Sequence, residues 1–152
     1  MIDLDKMDAR YVVFGSIFLL ANRLQTVMDK SARDITAKQW FLLMVLGLFD
    51  APPTLSQLAS AMDSSHQNVK QLALKLEKKG FVRIQPDPDD RRALRIVMTD
   101  AFSQWDRRNR AFQESFIGTM FRDLTEQEIH TMKRAQLKLY DALQTMKEGK
   151  NP

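Results

Sequence analysis

Six polar residues lie close together between positions 65 and 71, in a segment with helical periodicity. They are Ser65, His66, Gln67, Asn68, Lys70 and Gln71. An α-helix fits the DNA major groove, where Asn and Gln amides can pair with adenine and lysine can bond guanine or phosphate. The first turns of a recognition helix usually reach the bases. The cluster therefore predicts base-edge readout of double-stranded DNA.

Two smaller groups of residues predict contacts with the DNA backbone and minor groove. Thr54 and Ser56 open a short helical pattern, where backbone N–H groups and the helix dipole favour phosphate. Arg91 and Arg92 lie in a turn-rich segment, from which an arginine can enter a narrow minor groove. The acids just before these arginines would weaken that attraction unless they orient the arginines by pairing. The alternative for the two arginines is a solvated turn with local ion pairs.

The elements that position these residues follow in the order helix, turn, helix, strand, loop, strand. Helices are predicted over Leu55–Met62 and Ser65–Lys79, with Gly80 as the left-handed stop. Strands are predicted over Phe81–Gln85 and Leu94–Met98, joined by a tip rich in proline and aspartate. In a capping box a Ser or Thr and a Glu or Gln three residues later satisfy each other's backbone N–H groups. This pattern occurs at Thr36–Gln39, Thr54–Gln57, Ser64–Gln67 and Thr125–Glu128.

Longer helical patterns flank this segment. The first is predicted from about Asp8 to Lys30, and a second follows Thr36 and stops before two prolines. Two long helices are predicted after Thr99, the last with coiled-coil spacing from Ile129 to Met146. The predicted fold class is mainly α with a small β-wing: one continuous domain with a winged helix-turn-helix core at 36–99 and long helical regions at 1–35 and 100–152.

Composition narrows the function classes. The segment from Ser64 to Met98 holds eight basic and four acidic residues, a surplus equal to the net charge of +4, and this favours a polyanionic partner. The chain has no cysteine, so disulfide and thiolate chemistry are excluded. Its acidic N-terminus is unlike a secretory signal, and the longest dense apolar patch, Trp40–Leu48, is too short to cross a membrane. We therefore expect a cytoplasmic protein without a membrane partner.

The sequence offers little for catalysis. The two histidines stand far apart without ligand company, and the five glycines form no phosphate-binding loop. No nucleophile or carboxylate pair lies in an activating context. We expect no enzyme activity, no cofactor and no metal site.

The chain resembles the MarR family of bacterial winged-helix regulators over nearly its whole length. The resemblance is carried by Thr36–Trp40, Leu55–Ala59, Leu76–Val82, Pro86–Ala93 and Met98–Thr99. It implies a homodimer in which the first helix and the last two form the dimerisation region. It also implies binding to a near-palindromic operator, usually as a repressor, with release by a small, often aromatic, ligand. The residues expected to line that ligand's cleft are Phe14, Phe18, Trp40, Phe102 and Trp105.

Two positions depart from the family pattern. Ile84 stands where the family often has an arginine that anchors the wing, and Phe102 stands where it often has glycine. Ile84 and the acidic wing tip support an alternative function, a winged-helix protein–protein interaction module without DNA binding. Operator, effector, regulated genes and the direction of regulation are not set by the sequence.

Overall fold

The computed structural model describes residues 6–31 and 34–149, which form a mainly helical chain with a small antiparallel hairpin. In chain order the elements are α1 (Ala9–Ser31), α2 (Ala37–Leu46), α3 (Leu55–Ala61), α4 (His66–Lys78), β1 (Val82–Pro86), β2 (Leu94–Met98), α5 (Asp100–Phe121) and α6 (Glu126–Lys147). Strands β1 and β2 and the loop between them form the hairpin that we call the wing. The hairpin pairs Val82 with Met98 and Pro86 with Leu94. These elements confirm the predicted fold class, with most boundaries within one or two residues of the prediction.

The chain separates into two compact units, Met1–Trp105 and Asp106–Pro152. The core of the first unit is the winged helix, where α4 packs on α2, α3 and β1. Leu42, Leu58, Val69, Leu76 and Ile96 are completely buried there. Burial of such side chains supplies most of the stability that holds a seven-residue helix such as α3 in place, because so short a helix is not stable alone.

Three of the four predicted capping boxes are present. At Thr36 the hydroxyl accepts the Gln39 N–H at 3.2 Å, and the Gln39 amide oxygen accepts the Thr36 N–H at 3.1 Å. The same reciprocal pairs occur at the starts of α3 and α6. The predicted box at Ser64 is wrong, because Ser65 is the N-cap of α4.

Helix α1 has no buried residue among the 23 that it contains, although it is strongly apolar. By length and composition alone it is apolar enough to cross a bilayer. The prediction concerned contiguous apolar runs, of which Trp40–Leu48 is the longest dense one, whereas α1 reaches a high mean hydropathy although polar residues are scattered along it. The same test is passed by core helices of soluble proteins and is weak evidence for a single helix near an N-terminus.

The second unit holds the remainder of α5 and all of α6. Helix α6 buries none of its side chains, and Leu139, Leu143 and Met146 of its predicted coiled-coil stripe are all exposed. Phe112, Ile117 and Met120 of α5 are exposed as well. Long helices with unburied apolar stripes of this kind are typical of association surfaces.

Candidate nucleic-acid interface

A tight turn between α3 and α4 sets the start of the recognition helix. Asp63 takes a left-handed conformation with φ of 48°. Its N–H donates to the Ser60 carbonyl at 3.2 Å, and the next N–H, of Ser64, donates to the Ala59 carbonyl at 3.0 Å. These bonds satisfy the last carbonyls of α3 and turn the chain sharply into α4.

Ser65 then begins α4, and its hydroxyl oxygen accepts the Asn68 N–H at 3.2 Å. Because Ser64 is not the cap, Gln67 has no part in a capping box. Its side chain is exposed.

The two sides of α4 differ in burial, as the helical period of its apolar residues predicts. Val69, Ala73 and Leu76 are buried against the core, which leaves the helix little freedom to rotate. The predicted reading residues lie on the remaining surface: Ser65, His66, Gln67, Asn68 and Gln71 are exposed, and Lys70 is half-buried. A rigid helix with a polar surface at its first turns is the arrangement that major-groove readout requires.

The start of α3 offers less for phosphate binding than the sequence suggested. The Thr54 hydroxyl accepts the Gln57 N–H at 3.2 Å, and the Gln57 amide oxygen accepts the Thr54 N–H at 2.8 Å. The capping box therefore uses two backbone donors, the N–H groups of Thr54 and Gln57, and the Thr54 hydroxyl oxygen. Ser56 is exposed on the first turn.

At the tip of the wing, Asp87 is a buried carboxylate with only 5 % of its surface exposed. One of its oxygens accepts the backbone N–H groups of Asp89 at 2.7 Å and Asp90 at 3.0 Å, and the other pairs with the guanidinium of Arg95. The bond from Arg95, followed by the two backbone N–H groups, holds the pKa of Asp87 below its ordinary value of 3.8. The tip is therefore folded around a charged group.

The folding of the wing tip around Asp87 determines how Arg91 and Arg92 are exposed. A carboxylate oxygen of Asp89 lies 3.8 Å from a guanidinium nitrogen of Arg95, and the Asp90 carboxylate accepts the backbone N–H of Arg92 at 2.9 Å. Arg91 and Arg92 are exposed, and within residues 6–31 and 34–149 neither forms a side-chain ion pair. The acids of the tip thus fold the loop instead of pairing with the two arginines.

The helix-turn-helix and wing can now be compared with known proteins. The sequence model of the MarR family matches residues 33–93, which span the helix-turn-helix and most of the wing. This part of the chain is therefore similar to the MarR family of regulators.

Individual proteins similar to this chain are distant from it in sequence. It is 24 % identical to the transcriptional activatory protein BadR of Rhodopseudomonas palustris, over 95 % of this chain and 85 % of BadR. Its fold is similar to that of S. aureus MepR in a DNA complex, with a TM-score of 0.75 and 21 % identity over 91 % of this chain and 99 % of that one. It is also similar to Streptomyces coelicolor PcaV in complex with its natural ligand, with a TM-score of 0.71 and 17 % identity over 94 % and 98 % of the two chains.

The aromatic residues predicted to line a ligand cleft fall into local groups. Phe102 and Trp105 stack at 6.0 Å between ring centroids. Phe81, which sequence reasoning missed, joins them at 5.9 and 5.6 Å. The Trp105 indole N–H donates to the Asp34 carboxylate at 2.8 Å. This bond fixes the first turns of α5 to the segment before α2.

The other three predicted cleft residues lie elsewhere in the first unit. Phe14 and Phe18 are exposed on α1 and form an edge-to-face pair at 5.5 Å. Trp40 is partly buried against the core of the winged helix. A shared cleft formed by all five residues stays a prediction.

Sequence reasoning also missed the residues that organise the wing. Arg95 lies in the strand predicted over Leu94–Met98 and Asp87 in the predicted tip rich in proline and aspartate, and neither was given a role. One local signal was available, because an aspartate followed by Pro-Asp-Asp favours a turn in which its side chain accepts later backbone N–H groups. The partner, Arg95, is eight residues away and meets Asp87 only through the hairpin register.

Proposed function

We propose that the chain is a transcriptional regulator of the MarR family, a homodimer that binds a near-palindromic operator in double-stranded DNA and represses transcription until a small molecule releases it. The observation that carries the proposal is the pairing of a rigid α4, polar at its exposed first turns, with a wing tip that holds two exposed, unpaired arginines among the described residues. Because such a protein acts on chromosomal DNA, we place it in the cytoplasm.

On α4 we assign base-edge contacts to Asn68 and Gln71, whose amides can pair with adenine, and to Lys70, which can bond guanine or phosphate. Ser65, His66 and Gln67 lie at the same exposed end of the helix and complete the proposed contact surface. We retain Thr54 and Ser56 as weaker phosphate contacts, with Ser56 the more accessible of the two.

On the wing we assign minor-groove contact to Arg91 and Arg92. An arginine gains most where the minor groove is narrow and its negative potential is strongest. Since Asp87 is neutralised by Arg95 and buried, the acidic residues of the tip oppose this attraction less than the bare sequence suggests. The same observation weakens the support for a protein–protein module without DNA binding.

The homodimer follows from the exposed apolar helices. Tyr11, Phe14 and Phe18 of α1 and the stripes of α5 and α6 leave far more apolar surface uncovered than a soluble monomer usually does. A second copy related by two-fold symmetry would cover these surfaces and place two recognition helices about 34 Å apart, one DNA turn. Two half-sites related by a dyad are the expected operator.

Selection of bound duplexes from a random pool, followed by affinity measurements, tests the DNA proposal. We expect a dyad-symmetric site, with affinity falling about a thousandfold between about 50 and 200 mM salt because several phosphates are neutralised. Asn68→Ala and Lys70→Ala should each cost about 1–3 kcal/mol of operator affinity. The matched control is Gln127→Ala with Lys133→Ala on α6, which should leave affinity unchanged. Equal affinity for selected and random duplexes contradicts the proposal, and so does undiminished binding by the α4 variants.

A promoter–reporter fusion measures the direction of regulation. Deleting the gene should raise reporter output if the protein represses, and lower it if the protein acts as the name of BadR states for that relative. Expression that does not respond to deletion contradicts a regulatory role at the selected site.

The effector proposal rests on the clustered aromatic rings at the start of α5 and on the fold shared with PcaV, which was crystallised with its natural ligand. A ligand can release DNA only if it binds the two conformations of the protein unequally. Thermal shift with a panel of benzoate and phenol derivatives, with and without operator, should find a compound that stabilises the protein and lowers operator affinity. A panel in which no compound does both contradicts this proposal.

A further inference from the structure

One contact joins the recognition helix directly to the wing. Glu77 lies on the last turn of α4, and its carboxylate oxygen accepts the backbone N–H of Ile84, in the middle of β1, at 2.8 Å. Both residues are half-buried. None of the DNA contacts assigned above uses this bond.

The geometry of the hairpin explains why the backbone N–H of Ile84 is not bonded to β2. Ile84 lies opposite Ile96 in the antiparallel register, and the Ile96 N–H donates to the Pro53 carbonyl at 3.0 Å, away from β1. In an antiparallel pair whose members do not bond each other, both N–H groups point outward. The Ile84 N–H therefore lies on the outer edge of the wing, and Glu77 satisfies it from the recognition helix.

The attachment of the wing to α4 otherwise lies close to the turn that connects them. Gly80 takes a left-handed φ of 76°, the Phe81 N–H donates to the Leu76 carbonyl at 3.0 Å, and the Thr99 N–H donates to the Phe81 carbonyl at 3.1 Å. These bonds fix the near end of the hairpin. The Glu77–Ile84 bond adds a second fixed point further along β1. The two attachments together resist tilting of the wing relative to α4.

The wing beyond Ile84 acts as a lever. Strand β1 continues from Ile84 to Pro86, about 7 Å at about 3.3 Å per residue, and the tip with Arg91 and Arg92 lies beyond its end. A change of angle at Ile84 is therefore enlarged at the tip, where it would misplace hydrogen bonds made by an arginine.

We infer that Glu77 is a positioning residue that sets the angle of the wing to the recognition helix, so that Arg91 and Arg92 reach the minor groove while α4 occupies the major groove. The inference rests on the proposed DNA-binding function. Glu77 itself touches no DNA in this arrangement, and as an acid beside DNA it would repel phosphate.

That repulsion gives the inference a sharp test. Glu77→Gln and Glu77→Ala remove the same charge, but only glutamine keeps an oxygen that can accept the Ile84 N–H. If Glu77 acts through charge alone, the two variants bind operator equally, and both bind more tightly than wild type. If it positions the wing, Glu77→Ala binds about tenfold more weakly than Glu77→Gln.

The comparison is repeated with the wing tip neutralised by Arg91→Ala and Arg92→Ala. Without these arginines the wing makes no minor-groove contact, so its position no longer affects operator affinity. The tenfold difference in affinity between Glu77→Ala and Glu77→Gln should then shrink to less than twofold. A loss of folding stability would instead lower affinity equally in both backgrounds. Glu114→Gln and Glu114→Ala on α5 are the matched control pair and should bind operator equally.

A second readout does not involve DNA. The Ile84 amide should exchange with solvent faster in Glu77→Ala than in Glu77→Gln, while the amide of Ile96, which bonds Pro53, exchanges at the same rate in both. Equal operator affinity of the two variants with an intact wing overturns the inference, and so does a tenfold difference that persists without the arginines. Wild-type protein that fails to prefer the selected operator overturns the proposed function and this inference with it. Wild-type protein that prefers the operator, with equal Glu77 variants, overturns this inference alone.

Discussion

The exposed face of α1 gives the most demanding test of the proposed homodimer. Phe18 is 60 % exposed and packs edge-to-face on Phe14, which is 63 % exposed. A soluble protein rarely leaves two adjacent phenylalanine rings uncovered. If a second copy covers them, Phe18→Ala should weaken the dimer strongly without unfolding the winged helix, whose core does not include Phe18.

The size of the effect follows from the exposed area. A phenylalanine side chain offers about 200 Å² of surface, so about 120 Å² of Phe18 remains to be covered by a partner. At about 25 cal/mol per Å² this is about 3 kcal/mol, of which alanine retains about a quarter. Each copy then loses about 2 kcal/mol, and a two-fold interface loses about 4 kcal/mol, or about a thousandfold in the dissociation constant.

Sedimentation velocity over a range of protein concentrations measures this dissociation constant for wild type and Phe18→Ala. Circular dichroism checks that the variant keeps its helices. Phe41→Ala on α2 is the matched control, because it removes the same ring from another partly exposed position and should leave the dimer intact. A wild-type protein that is monomeric at micromolar concentration refutes the reasoning, and so does a Phe18→Ala variant that dimerises as tightly as wild type.

Two further predictions concern the wing and its connection to α4. Gly80→Ala should lower the free energy of unfolding by about 1 kcal/mol, since φ is 76° there, and Gly80→Asn should lose less because asparagine tolerates that conformation; chemical denaturation measures both, and equal stability of all three proteins contradicts the prediction. The pKa of Asp87 is lowered in the folded protein by its bond from Arg95, so its stabilising contribution is complete above about pH 5 and is lost as pH falls through that depressed pKa. The difference in unfolding free energy between wild type and Asp87→Asn should therefore be constant at neutral pH and shrink in acid, and a difference independent of pH would count against the ion pair.

Much of the local structure was predictable because its causes are local. Thr36, Thr54 and Thr125 each cap a helix through bonds to residues three positions away, so a short sequence pattern is sufficient to find them. Gly80 ends α4 for a similarly local reason. The prediction failed at Ser64, which fits the pattern with Gln67, whereas the true cap, Ser65, has Asn68 at that spacing and does not fit it. The turn at Asp63 and the Ser64 bond back to Ala59 decided in favour of Ser65.

The positions of candidate site residues could be predicted from the sequence where they depend on a single helix. Contacts that depend on how two elements meet could not be predicted. The exposed positions of Asn68 and Gln71 follow from the helical period opposite Val69. The pairing of Asp87 with Arg95 depends on the hairpin register, and the bond from Ile84 to Glu77 depends on how α4 packs against β1. Periodicity within one segment carries no information about such distances between segments.

The sequence by itself determined the order of the elements, the side of α4 that is buried and the location of the charge surplus, because capping, helical period and composition act over a few residues. Only the tertiary structure decided that Asp87 is buried and paired with Arg95, which leaves Arg91 and Arg92 exposed and without a side-chain ion pair among the described residues. Only it placed Glu77 where it can fix the wing. The physical reason is that a buried carboxylate must find donors, and the packed fold, not the neighbouring sequence, determines which donors are within 3 Å.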